Sequence, residues 1–190
     1  MTQTNPDALD FLRNRRSCPP ALLKAPGPSP EQVQDLLTLA ARSPDHGKLE
    51  PWRFVVIRGA ALERLASLVE AGSEAAGNPP EKAAKHGNAF RVPMVIAVVF
   101  SPVDHDKIPE WEQFLSTGAV CLSLVNAALA AGFWACWLTG IAANPEFANR
   151  HLGLSGTERV AGLIHIGSRG DSIPPERPRP DIQTKTTVLE

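Results

Sequence analysis

Two adjacent arginines and a serine follow the first predicted helix. Arg15, Arg16 and Ser17 would present two cations and a hydroxyl group, a combination that suits an anionic ligand such as a phosphate. An arginine at a helix C-terminus also complements the negative end of the helix dipole. The segment alone therefore leaves two interpretations open, a phosphate site and simple stabilisation of the helix.

A second group of donors lies in a loop between the end of a predicted helix and a buried strand, within the sequence RSPDHGKLEPWRF. It contains Arg42, His46 and Lys48. A loop at the edge of a sheet is a common place to hold a planar polar ligand. The structural alternative is that its two prolines only shape the loop and its tryptophan only anchors it in the core.

Sequence motifs for other kinds of chemistry are absent. The chain has neither G-x-G-x-x-G nor G-x-x-x-x-G-K-[ST], which argues against a classical Rossmann or P-loop site. It also lacks H-E-x-x-H and G-x-S-x-G. The five histidines show no metal-ligand spacing, and Asp104-His105-Asp106 is better explained as a solvated turn. We therefore assign no metal ligand and no catalytic side chain.

Composition excludes several classes of protein. The formal net charge of -1 over 190 residues argues against a strongly basic nucleic-acid binder. Cys18, Cys121 and Cys136 are far apart and form no C-x-x-C pair, so we expect neither a disulfide framework nor a zinc knuckle. The polar N-terminus lacks the apolar core of a signal peptide. We expect a protein of the reducing cytoplasm.

The elements that position these side chains follow from capping residues and hydrophobic periodicity. Helices are predicted over 6–15, 30–42, about 62–69, 109–131 and 145–152, and strands over 53–58, 93–100, 133–138 and 160–166. The stretch 78–88 is predicted to be a loop with a helical turn or two. This order is not a simple βαβ repeat, so we predict one α+β domain over 1–190, with 167–190 as a proline-rich C-terminal extension.

The predicted helix 109–131 has apolar or small residues on almost every side from Ala119 onward. A helix that is apolar all round is buried all round. In so small a protein this pattern predicts that a partner subunit covers its second face. A buried helix followed by a strand explains the apolar stretch better than a membrane span does.

These segments together resemble the nitroreductase family, and most closely its compact YdjA-like subgroup. The motifs that carry the resemblance are Arg15-Arg16-Ser17, Arg42-Ser43-Pro44-Asp45-His46, Pro51-Trp52-Arg53-Phe54, Trp137-Leu138-Thr139-Gly140 and the closing Ile166-Gly167. Each motif is weak alone, but their order and spacing are fairly specific. The resemblance runs from about residue 9 to residue 182.

The resemblance implies a nitroreductase-like fold, with a central, mostly antiparallel sheet flanked by helices and the long buried helix at the interface of a homodimer. It also implies FMN bound at that interface. The positions that would bind the cofactor by this resemblance are Arg15, Arg16, Ser17, Arg42, His46, Lys48, Trp137, Leu138, Thr139, Arg177 and Arg179. The first three and the last two would hold the phosphate end, and the others would approach or line the flavin.

The implied activity is that of an NAD(P)H-dependent flavin oxidoreductase. NAD(P)H would reduce the flavin, and a nitroaromatic, quinone or similar electron-poor small molecule would then be reduced in a second hydride transfer. Since the cofactor carries the chemistry, no acid, base or nucleophile need appear in the sequence. Three alternatives remain: another flavin reaction, such as the oxidation of a specific metabolite; an FMN-binding storage or sensor protein without turnover; and a thiol enzyme that uses Cys18 beside the two arginines.

Overall fold

The computed structural model describes residues 4–190, in which five strands form one antiparallel sheet. The strands are β1 (Leu23–Lys24), β2 (Trp52–Arg58), β3 (Met94–Phe100), β4 (Trp134–Leu138) and β5 (Arg159–Arg169). Their order is β1-β5-β3-β2, and β4 also pairs with β5. Every pairing is antiparallel, so the predicted fold class is confirmed.

Six helices flank this sheet within residues 4–190. They are α1 (Pro6–Asn14), α2 (Pro30–Ala40), α3 (Ala60–Ala75), α4 (Pro80–Asn88), α5 (Glu110–Ala130) and α6 (Pro145–His151). Two groups of buried side chains lie on opposite faces of the sheet, one with α3 and α6 and the other with α2 and α5. The central strand β3 supplies both, because alternate residues of a strand point to opposite faces. Val95, Ala97 and Val99 join the first group and Ile96 and Val98 the second.

The predicted starts of α1 and α2 are confirmed. The side chain of Asn5 accepts the N–H of Ala8 at 3.1 Å. At the start of α2, the Ser29 hydroxyl accepts the N–H of Gln32 at 3.3 Å, and the Gln32 side chain accepts the N–H of Ser29 at 2.9 Å. This reciprocal capping box fixes where the chain enters the helix.

Two local expectations need correction. The stretch 78–88 is largely α4, because the missing side chain of Gly87 lets this short helix lie against α3, where a Cβ would come within 2.8 Å of the Ala66 carbonyl oxygen. Strand β2 is an edge strand in which only Ile57 is buried, not a buried strand.

Helix α5 is long and apolar enough to cross a membrane by length and composition alone. Half of its most apolar 18-residue stretch is nevertheless buried inside the fold. Two of its buried polar side chains bond the backbone of neighbouring loops. Gln113 bonds both backbone groups of Val103 at 2.9 Å, and the Thr117 hydroxyl donates to the Pro51 carbonyl at 3.1 Å. These contacts are those of a core helix of a globular protein, and they tie α5 to the loops beside it.

Candidate functional site

The structure brings the two basic segments of the chain together. Arg15, Arg16 and Ser17 line a cavity of 210 Å³ with Arg177 and Arg179. The Nε atoms of Arg15 and Arg16 are buried and have no hydrogen-bond partner among the described residues. A buried donor without a partner carries a desolvation cost that a bound acceptor would relieve. We call this group of five residues the arginine cradle.

The C-terminal segment reaches the arginine cradle by folding back over α1. The Arg16 guanidinium donates to the Pro174 carbonyl at 2.8 Å, and that of Arg179 donates to the Arg13 carbonyl at 2.6 Å. Glu176 lies between the two arginines, 3.5 Å from Arg16 and 3.7 Å from Arg179. Its carboxylate therefore faces the same cations that could hold an anionic ligand.

A larger cavity of 740 Å³ lies between α4 and the end of β4. Leu138 and Thr139, two of the predicted site residues, line it. Much of the remaining wall was not predicted and includes Pro19, Pro20, Lys85, His86, Phe90 and Ile141. The wall formed by α4 was missed because the polar sequence 78–88 has few large apolar residues. Its helical signals are a proline at the first helical position, Glu81 in the first turn, and Lys85 and His86 in the last turn.

Trp137 lies on the other face of the sheet from Leu138, as the alternation of a strand requires. Its indole nitrogen donates to the Ala161 carbonyl at 3.3 Å, and its ring covers Gly162. The predicted trio at the end of β4 is thus divided, with Leu138 and Thr139 in the cavity and Trp137 towards α5.

The loop between α2 and β2 forms a third location, outside both cavities. Helix α5 holds it in place: Glu112 bonds His46 at 2.8 Å, and the Ser116 hydroxyl donates to the Pro44 carbonyl at 2.5 Å. Arg42 and Lys48 are exposed on its surface. Within one chain, the loop donors do not meet the arginine cradle.

Two histidines in the wall of the 740 Å³ cavity were not predicted as site residues. The Nδ1 atom of His86 lies 2.8 Å from the Ser73 hydroxyl. His165, on β5, is wholly buried, and neither ring nitrogen has a partner among the described residues. Burial lowers the pKa of His165 to about 4, so its imidazole is neutral at pH 7.

The thiol alternative is not supported by the structure. Cys18 is buried, and desolvation raises the pKa of its thiol to about 11 despite the nearby Arg16. A thiol of that kind has little thiolate at neutral pH. The residues from Asp104 to Asp106 form a turn in which His105 Nδ1 accepts two backbone N–H groups at 3.1 Å. Over residues 4–190 there is no group of three His, Cys, Asp or Glu side chains placed to hold a metal.

Comparisons with known proteins agree on one family. The sequence profile of the Nitroreductase family matches residues 12–168. The Escherichia coli K12 protein YdjA, which its name assigns provisionally to the NAD(P)H nitroreductases, is 36% identical over 163 residues, covering 85% of this chain and 88% of its own. A Haemophilus influenzae protein that is also named provisionally as an NAD(P)H nitroreductase is 38% identical over 165 residues, again covering 85% of this chain and 88% of its own.

Solved structures share the fold. A nitroreductase-like family protein from Bacillus cereus superposes with a TM-score of 0.80 at 25% identity, covering 100% of this chain and 99% of its own. A Bacteroides fragilis nitroreductase with bound FMN superposes with a TM-score of 0.76 at 18% identity, covering 98% of this chain and 100% of its own.

Proposed function

This chain belongs to the nitroreductase family, and from that premise we propose that it is an FMN-dependent oxidoreductase that uses NAD(P)H to reduce nitroaromatics, quinones or similar electron-poor acceptors. Relatives at 36% and 38% identity are named provisionally as NAD(P)H nitroreductases. The observation that carries the proposal is the arginine cradle, whose Ser17 lies two residues before Pro19, which lines the wall of a large apolar cavity.

The arginine cradle suits the phosphate of FMN. A phosphate monoester carries close to two negative charges at pH 7, and the cradle offers four guanidinium groups. Hydrogen bonds between arginine and phosphate are charge-assisted and often bidentate. The unpartnered Nε atoms of Arg15 and Arg16 would gain an acceptor when phosphate binds.

The 740 Å³ cavity suits a flat ring system. Ligand cavities in proteins hold about 300–1,000 Å³ and are mostly apolar with a few polar groups. Pro19, Pro20, Phe90 and Ile141 line the cavity here and would exclude water from a bound ring. When bound, FMN supplies the hydride chemistry between NAD(P)H and the acceptor. The chain's part is to hold the phosphate, position the ring and limit the access of water; we assign no catalytic side chain.

The donors of the second loop belong to this proposal only if two chains associate. Arg42 and Lys48 are exposed and lie outside both cavities. We infer that the protein is a homodimer in which Arg42, His46 and Lys48 approach the flavin site of the other subunit. The exposed apolar side chains Trp111, Leu115 and Leu122 on α5 support such an interface. The three free cysteines fit the reducing cytoplasm that we propose as its location.

The test is a flavin titration with a matched pair of variants. Arg16→Gln removes a cradle cation, and Arg150→Gln removes an exposed cation on α6. Losing one charge-assisted hydrogen bond should weaken FMN binding roughly 10- to 100-fold. Arg150→Gln should leave it unchanged. Fluorescence quenching of FMN measures both affinities.

Absorption spectra then separate binding from turnover. A yellow protein that bleaches under anaerobic NADPH or NADH, and recovers its colour with a quinone, supports the full proposal. A yellow protein that neither reductant bleaches would indicate a flavin binder without this activity. Wild-type protein that is colourless when purified and does not bind added FMN would contradict the proposal.

A further inference from the structure

The environment of His165 points to a ligand. Its side chain is fully buried on β5 and forms part of the wall of the 740 Å³ cavity. Both ring nitrogens lack a partner among the described residues. Buried polar side-chain atoms are satisfied in the large majority of cases. An imidazole with two unsatisfied nitrogens beside a cavity of this size is best explained by a group that binds there.

The neighbours of His165 define the chemistry of that group. The ring of Phe90 packs edge-on against the imidazole, with the centroids 5.1 Å apart at an angle of 71°. Val69 and Ile141 add apolar wall. A charged ligand group would lose its hydration there without a counter-charge at His165, because burial keeps that imidazole neutral at pH 7. An uncharged group loses much less on leaving water, and a hydrogen bond to His165 would offset that loss.

A neutral imidazole has one N–H donor and one acceptor nitrogen. A ring carbonyl accepts the N–H directly, and a flat ring system also fits between the apolar walls. At another part of the wall, His86 can offer the ligand at most its Nε2 atom, because its Nδ1 atom is engaged by Ser73.

We propose that this cavity binds the carbonyl edge of a flat, uncharged ring system and that His165 donates a hydrogen bond to that carbonyl. The inference rests on the proposed function, since both the flavin ring and a quinone acceptor carry such an edge. His165 is then a residue that sets ligand affinity and orientation from within the sheet.

The experiment compares His165→Leu, which removes both nitrogens, with His165→Gln, which keeps a donor and an acceptor. His151→Leu on α6 is the matched histidine control outside the cavity. Because Leu replaces an unsatisfied polar group by an apolar one of similar size, ligand-free His165→Leu should melt at or above the wild-type temperature. The affinity of His165→Leu for whichever probe contacts His165, FMN or 1,4-naphthoquinone, should fall about fivefold to tenfold. His165→Gln should retain much of the wild-type affinity.

Two titrations distinguish the sources of the carbonyl. FMN is titrated into the cofactor-free protein, and 1,4-naphthoquinone into the FMN-loaded protein. Weaker FMN binding by His165→Leu assigns the contact to the flavin ring. Unchanged FMN affinity with weaker quinone binding assigns it to the acceptor. If neither affinity changes, the proposal is wrong, whether or not His165→Leu alters the stability of the ligand-free protein.

A third measurement separates this proposal from the proposed function. The ¹⁵N resonances of the His165 ring in wild-type protein should shift when the ligand fills the cavity. If wild-type protein binds no FMN, the proposed function fails, and 1,4-naphthoquinone is then titrated into the cofactor-free protein. A shifted His165 resonance in that titration would still support the carbonyl site, and an unshifted one would overturn it.

Discussion

At the scale of single residues, Glu176 opposes the cations that surround it. Its carboxylate lies 3.5 Å from Arg16 and 3.7 Å from Arg179, and its side chain is 71% exposed. A solvent-exposed pair of this kind stabilises the fold little. The same negative charge repels an incoming phosphate, so its effect on ligand binding should exceed its effect on stability.

Glu176→Gln should therefore tighten FMN binding about twofold to fivefold at low salt, because it removes one negative charge near the phosphate. The gain should shrink as ionic strength rises. Glu74→Gln, on the exposed surface of α3, controls for the change in net charge. FMN titrations at two salt concentrations measure the effect. Equal affinity of Glu176→Gln and wild-type protein at low salt would mean that the phosphate does not bind at the arginine cradle.

Residue types alone indicated part of the candidate site. They pointed to Arg15 and Arg16 as candidates because paired cations beside a hydroxyl group suit an anion. His165 could not be identified in this way, since it is a single histidine within the apolar run of β5. Only the packing around it shows that its nitrogens lack partners among the described residues. Trp137 was correctly placed on β4, but its face depends on register, which the sequence did not settle.

At the scale of elements, the contact between β5 and Trp137 depends on a glycine. A Cβ at Gly162 would lie 2.8 Å from the indole Cδ1 and 2.9 Å from the sulfur of Cys121 on α5. Both neighbours belong to packed elements that cannot move freely. The same ring approaches Gly118 of α5 only at 3.9 Å, an ordinary contact distance.

Gly162→Ala should accordingly destabilise the protein by about 1–3 kcal/mol, because it overpacks the layer between the sheet and α5. Gly118→Ala should be neutral or stabilising, since alanine favours a helix over glycine. Urea unfolding measures both free energies, and tryptophan fluorescence reports displacement of the ring. Equal stability of the two variants would show that Trp137 does not pack over Gly162 as described.

The ends of three strands are joined by one acidic side chain, Glu158. Arg53 of β2 donates to its two oxygens at 2.6 and 2.7 Å, and the Ser101 hydroxyl after β3 donates to it at 2.7 Å. The hydrogen bond from Arg53 is the largest cause of a lowered pKa, which falls from 4.5 to about 2. A lowered carboxyl pKa stabilises the fold above its unfolded-state value, and this stabilisation is lost as the pH falls through the folded-state value.

Glu158→Gln should lower the free energy of unfolding at pH 7 by on the order of 2 kcal/mol. The difference from wild-type protein should shrink from pH 4.5 towards pH 2, where the wild-type carboxyl also becomes protonated. Chemical unfolding at pH 7, 4.5 and 3 measures the trend, with Glu74→Gln as the surface control. A constant difference at all three values would mean that Glu158 titrates normally.

Most elements could be predicted from local patterns, and the exceptions have physical causes. Capping residues identified the starts of α1 and α2. Helix α4 was underestimated because its stability comes from contact with α3 at Gly87. The two-residue strand β1 is too short to leave a periodic signal and forms only by pairing with the end of β5.

At the scale of the whole molecule, α5 has one buried side and one exposed apolar side. Trp111 and Leu115 are each 63% exposed, and Leu122 is 48% exposed. Leu115 follows Trp111 by four residues and Leu122 follows Leu115 by seven, so the three side chains lie along one face of the helix. Contiguous exposed apolar surface of this kind marks an interaction site, and the loop that carries Arg42, His46 and Lys48 is held on the same helix through Glu112 and Ser116.

The proposed homodimer makes assembly and flavin binding a single property of the molecule. Leu115→Arg places a charge at the centre of the exposed face and should convert the dimer to a monomer, because an unpaired charge buried in an interface is costly. FMN affinity should fall with it, since the loop donors of the second subunit are lost. Ala76→Arg adds the same charge at the exposed end of α3, on the opposite side of the sheet, and should change neither property. Sedimentation equilibrium and FMN titration of both variants test this coupling. A monomeric Leu115→Arg protein with wild-type affinity would show that one chain holds the cofactor alone, so the exposed loop donors would need another explanation.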